Sequence, residues 1–235
     1  MKENNFDAYL TNGKITLFCG MHTNSFKNDI LHATLYADLL ATRGGNDQEV
    51  WWQTYTQTLN RFGCTLNSRE VRRLEFHNTR LFNIVVESTE SALSENEQQA
   101  LSSVFSELGT LPANSLAIEA IITRLQANAY NGTADIADAR TKKQPVSTAM
   151  LLTIVRNDKT LLTLQISFKT NAGITPDTLN QPVLTTIKDG KNNIRLLHSS
   201  LDERQYSQIR ETIINKLGNK LQTDLLHLTP PPCPN

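Results

Sequence analysis

"TAMLLTIVRNDKTLLTLQISFKT" occupies residues 148–170, and its reading decides the fold. Before Asn157-Asp158 stands a run of apolar and β-branched residues. After it, Leu162, Leu164, Ile166 and Phe168 alternate with Thr163, Gln165 and Ser167. Alternation at period two sends successive side chains to opposite faces of a strand, so the stretch predicts a β-hairpin closed over Asn157-Asp158. "PVLTTIKDGKNNIRLLHS" at 182–199 repeats the scheme around Asp189-Gly190, a favoured two-residue turn. Four antiparallel strands are expected. Ser200 and Glu203 have capping-box spacing ahead of Tyr206, Ile209, Ile213 and Leu217, which predicts a helix covering one face of that sheet.

Upstream the pattern changes to helical spacing. "KITLFC" at 14–19 reads as a short strand introduced by the turn signal Asn12-Gly13. Ile30, Leu31, Leu35 and Leu39 then recur at helical intervals until Gly44-Gly45. In "EVWWQTYTQTLNRFGC" at 49–64, preceded by Asp47, the aspartate is placed to cap a helix and Gly63 to end it in the left-handed region. Counting about 100° per residue places Trp51, Phe62, Tyr55, Leu59 and Trp52 in one stripe, with the two tryptophans at its margins. That is the pattern of a helix packed on a core with one indole near the surface. Residues 69–87, "REVRRLEFHNTRLFNIVVE", show alternation broken by "HNT" and are expected to form a second β-hairpin. Ser94 with Glu97 forms a capping box before Leu101, Val104, Phe105 and Leu108, and Ile118, Ile121, Ile122 and Leu125 mark a further helix.

The expected class is therefore α+β: a mostly helical N-terminal half with a β-hairpin, and a C-terminal antiparallel four-stranded sheet backed by a helix. Residues 1–140 form the mainly helical region, 147–228 the sheet and helix, and 229–235 a proline-rich tail. A polar stretch from about 131 to 146 reads as linker or long loop. The pattern suits one domain or two.

Composition excludes several functions. Lysine plus arginine and aspartate plus glutamate balance at 23 each in 235 residues, so no global field draws in nucleic acid. No apolar run approaches the length of about 20 residues that spans a bilayer. The beginning lacks a basic segment followed by an apolar one, so a cytoplasmic location is expected, with leaderless export left open. Three cysteines, Cys19, Cys64 and Cys233, are too few and oddly numbered for a disulfide framework.

Chemistry is sparsely marked. Cys19 and His22 form one compact C-x-x-H pair, whereas zinc sites use two, so no metal and no cofactor are expected. No glycine-rich phosphate loop follows a strand. The candidates for a nucleophile and its base are Cys19, Cys64, His77 and His198, since a reactive thiolate needs an imidazole in hydrogen-bond reach. Arg69, Arg72, Arg73 and Arg80 form the one dense basic cluster and are the candidates for binding a partner; on an edge strand the same residues would deter edge-to-edge pairing. The expectation is a non-enzymatic protein acting through protein association or self-assembly, as adaptor, effector or structural component. The alternative is an enzyme or small-ligand protein whose site lies at the junction of the two halves, with a Cys/His pair as one form of it.

Overall fold

A computed structural model describes residues 6–44, 47–89, 92–129, 145–171 and 173–228. Strands β1 (Phe6–Thr11) and β2 (Lys14–Cys19) form a hairpin. Asn12 and Gly13 both adopt positive φ, the condition for the tight turn whose twist matches its strands. Helices α1 (Asn24–Thr42) and α2 (Gln48–Arg61) follow, then β3 (Cys64–Arg72), α3 (Leu81–Thr89), α4 (Glu95–Thr110) and α5 (Leu116–Ala127). The chain resumes with β4 (Ser147–Val155), β5 (Thr160–Thr170), α6 (Asp177–Asn180), β6 (Leu184–Thr185) and β7 (Ile194–Leu201). It ends with α7 (Glu203–Ser207), α8 (Arg210–Leu217), α9 (Lys220–Thr223) and β8 (Leu225–Leu228).

All described strands join one mixed sheet in the order β3-β7-β5-β4-β2-β1-β8, with β6 on the end of β5. Every pairing is antiparallel except that of β2 with β4. Helices cover both faces. Ile15 and Leu17 of β2, Leu152 and Ile154 of β4, and Leu162 to Phe168 at alternate positions of β5 pack against α3, α4 and α5. Phe18, Leu151, Val155, Leu161 and Leu197 face the other way, against α1, α2, α7 and α8. The second face is the more polar: buried Thr16, Thr153, Thr163, Gln165 and Ser199 alternate with the residues directed to the first.

The α+β class, the 148–170 hairpin and the helices from 24 to 127 match expectation, with the exception of the segment 81–89. Asp47 Oδ1 accepts from the amides of Glu49 and Val50, Gly63 has φ +90°, and Ser94 and Glu97 make the reciprocal capping box. Four features differ. The expected hairpin over 69–87 is one strand and one helix: Leu81, Ile84, Val85, Ser88 and Thr89 are buried at helical spacing, and β3 pairs with β7. The expected hairpin over 182–199 does not close, because β7 pairs directly with β5 while Leu184 bridges Thr79 and Thr186 N donates to Phe76 O. The four-stranded sheet is thus part of a mixed eight-stranded one. Ser200 lies inside β7, so the helix is capped instead by Asp202, whose Oδ1 accepts from the amides of Arg204 and Gln205, and it breaks into α7 and α8. The linker at 131–146 falls almost wholly outside the described residues, as do Cys233 and the tail 229–235.

Within α2 the two tryptophans separate. Trp52 is 1% exposed, while Trp51 is half-buried and stacks on Tyr55 at 5.0 Å. Trp52→Ala is expected to cost about 3–5 kcal/mol through lost burial and a cavity. Trp51→Ala should cost clearly less, and equal losses in chemical denaturation would contradict this assignment.

Candidate functional site

Three buried charged side chains meet where the β1–β2 turn touches α1 and α5. Lys14 opens β2, Asp38 sits on the core side of α1, and Arg124 lies in the last turn of α5; they are 5%, 0% and 6% exposed. The turn brings them together by close approach. A Cβ on Gly13 would stand 2.3 Å from Ala120 O and 2.6 Å from Arg124 Cβ, so only glycine lets α5 pack this closely on the hairpin.

Asp38 is fully committed. Its Oδ1 accepts from Arg124 Nη2 at 2.5 Å and its Oδ2 from Asn12 Nδ2 at 2.6 Å. Lys14 Nζ stands 2.7 Å from Oδ1, an ion pair on the oxygen that Arg124 also engages. Two cations thus share one carboxylate, leaving a buried excess of one positive charge. Burial, partly offset by Asp38 and reinforced by Arg124, pulls the Lys14 ammonium down to about 8. The rings of Trp51 and Tyr55 supply a second, weaker compensation, with Lys14 Nζ 5.5 and 5.3 Å from their centroids. By contrast, the buried Asp29 is matched one to one by Arg210, in a bidentate pair of 2.7 and 2.6 Å.

Beside this cluster opens a cleft of about 470 Å³, its mouth included. Lys14, Thr42, Gln48, Trp51 and Arg124 line it from the N-terminal half, and Ala149, Leu151 and Gln165 from the C-terminal half. Gln48 Oε1 accepts from Ser167 Oγ at 3.0 Å, while Gln48 Nε2, Trp51 Nε1 and Arg124 Nε are buried with no hydrogen-bond partner among the described residues. Unsatisfied buried donors cost on the order of 1–3 kcal/mol each, and here three lie on side chains lining one cleft, beside the ion-paired Lys14 ammonium. Such an arrangement can accept a negatively charged oxygen group.

The residues singled out from sequence are placed elsewhere. Cys19 ends β2 and faces α4, and Cys64 begins β3 on the opposite face of the sheet. Burial pushes both thiols up to about 12, aided at Cys19 by the charge of Glu97. His77 is exposed in the loop before α3. His198 is half-buried on β7, held below the usual imidazole range by burial and by Arg156. No thiol–imidazole hydrogen bond forms among the described residues. His22 Nε2 instead meets the backbone oxygen of Cys19 at 3.0 Å, and no group of three metal-binding side chains assembles among the described residues.

Two of the four arginines, Arg69 and Arg72, lie on opposite faces of the sheet. Arg69 pairs across from Leu197 and Arg72 from Ile194, which direct their side chains to opposite faces of the sheet. Arg72 donates to Ser88 O, and Arg73 to Glu75, Lys191 O and Ile187 O. Arg69 and Arg80 are exposed. Lys14, Asp38 and Arg124 were not singled out from sequence, although a usable signal exists: Asp38 stands three residues after Leu35 and Arg124 three after Ile121, charges on apolar helical stripes.

No model of a known protein family matches the chain, and no curated protein matches it in sequence.

Proposed function

We propose that the protein binds a small anionic ligand in the cleft between Lys14, Gln48, Trp51 and Arg124. The reading is carried by a site with one excess positive charge, ringed by side chains on which three buried donors have no hydrogen-bond partner among the described residues. A bound anion would neutralise that charge, satisfy the donors and stabilise the native state by mass action. The cleft draws on both halves of the chain, so the ligand would sit where they meet.

Lys14→Met is the sharpest test. It keeps the apolar stem and leaves Asp38 paired with Arg124, so stability should change by no more than about 1–2 kcal/mol. Thermal stabilisation by added anions should disappear. Retention of that stabilisation in the variant would remove the cleft from consideration.

The proposal also has a pH signature. Anion binding favours the protonated lysine, so affinity should be flat below about pH 8, the pKa of Lys14 in the free protein. Above it, affinity should fall by about tenfold per unit until the bound-state pKa is reached. Asp38 and Arg124 are the charged neighbours, and the Tyr55 phenol is driven upward by burial, so it titrates above this window. Calorimetric titrations across that range check the slope, and an affinity that rises with pH would contradict it.

A catalytic cysteine is poorly served by these surroundings, since thiols raised to about 12 are almost wholly protonated near neutrality. Cys19 and Cys64 should react with alkylating reagents only at the rate of unfolding. Rapid labelling of either in the native protein would revive a nucleophilic role.

One observation favours a second reading, association with another chain. Along the edge strand β3, residues Thr65 to Val71 are all exposed, Leu66 and Val71 among them at 53% and 39%. A strand with free backbone groups and apolar side chains is a template for strand addition. Light scattering over a concentration series should then show association that Leu66→Lys with Val71→Lys abolishes. A strict monomer would retire self-association along β3.

A further inference from the structure

We infer that the anion is the carboxylate of a small molecule with an apolar body, an inference that rests on the anion-binding reading. Charge is the first reason. Lys14 and Arg124 exceed Asp38 by one, so a monoanion brings the buried site to neutrality, whereas sulfate or a phosphate dianion overshoots it in a poorly screened interior. Hydrogen-bond matching is the second. Dihydrogen phosphate carries one charge but brings O–H donors, and the atoms around the cleft that are unpartnered among the described residues are themselves donors, with both Asp38 oxygens already engaged. A carboxylate is acceptor-only, with about four lone-pair sites. Gln48 Nε2, Trp51 Nε1 and Arg124 Nε, with the Lys14 ammonium, are the donors on the lining side chains that match it.

Lining is the third. Ala127, Ala149, Met150 and Leu151 give the cleft an apolar wall beside the polar Thr42, Asn128 and Gln165. An alkyl or aryl group attached to the carboxylate would cover that wall and gain the burial free energy of apolar surface.

The test is calorimetric titration of the full chain near neutral pH with acetate, butyrate, hexanoate and benzoate, set against hexanamide, benzamide, inorganic phosphate and sulfate. Affinity is expected to rise about fourfold per buried methylene from acetate to hexanoate. Each acid should exceed its neutral amide by about tenfold or more, and exceed phosphate and sulfate. Lys14→Met should abolish the preference for acid over amide. If phosphate or sulfate binds most tightly, or affinity is flat along the aliphatic series, the carboxylate inference is overturned while anion binding stands. If amides bind as well as acids, or if no probe binds, both fall.

Discussion

The parallel pairing of β2 with β4 is the constraint on which the rest depends. Its register, from Ile15 opposite Leu152 to Phe18 opposite Val155, joins the amino-terminal hairpin to the strands that follow residue 146. Between the two strands run α1 to α5 and β3, so the pairing is made across more than a hundred residues and closes a long loop. What holds it is burial on both faces: Ile15, Leu17, Leu152 and Ile154 on one side and Phe18, Leu151 and Val155 on the other are all nearly inaccessible. Because Ile15 lies opposite Leu152, Lys14 falls beside Leu151 at the end of the pair. The cleft forms there, where the sheet's polar face emerges from beneath α2.

Asp38 is the next constraint. A lone carboxylate on the buried side of α1 would be costly, and Asn12, Lys14 and Arg124 resolve that cost from three elements. The solution overshoots, since two cations answer one anion. A purely structural cluster would resemble the Asp29–Arg210 pair, in which one guanidinium meets one carboxylate. The surplus positive charge therefore sets the Lys14 site apart from the Asp29–Arg210 pair.

Much of the local structure was legible because it follows from short-range rules. Asp47, Ser94 and Gly63 announced helix ends through caps and a left-handed terminus, and Leu162 to Phe168 announced a strand through alternation. Residues 81–89 misled because Leu81 and Val85 fit a strand as readily as one turn of helix, and their burial against α4 and α6 decides between them. The 182–199 hairpin failed for a related reason. A good turn at Asp189-Gly190 does not determine pairing when β5 offers β7 a longer partner and the 74–79 segment takes residues 184–186. The site left no motif because residues 14, 38, 48, 51, 124 and 165 are spread over five elements. Its one trace in sequence is charge on apolar stripes.

The adjacent tryptophans show how one helix serves both core and cleft. A step of about 100° around α2 separates their side chains. Trp52 is turned into the core beside Tyr55 and Leu59, with Arg195 near its ring at 5.8 Å. Trp51 is turned toward the margin, stacked on Tyr55 and close to Lys14 and Arg124. Packing of Trp52 therefore fixes the rotation of the helix, and that rotation fixes where the Trp51 indole and the Gln48 amide stand in the cleft. The same burial that made the stripe readable as core holds the Trp51 indole and the Gln48 amide in place, which would limit the ordering cost of the proposed binding.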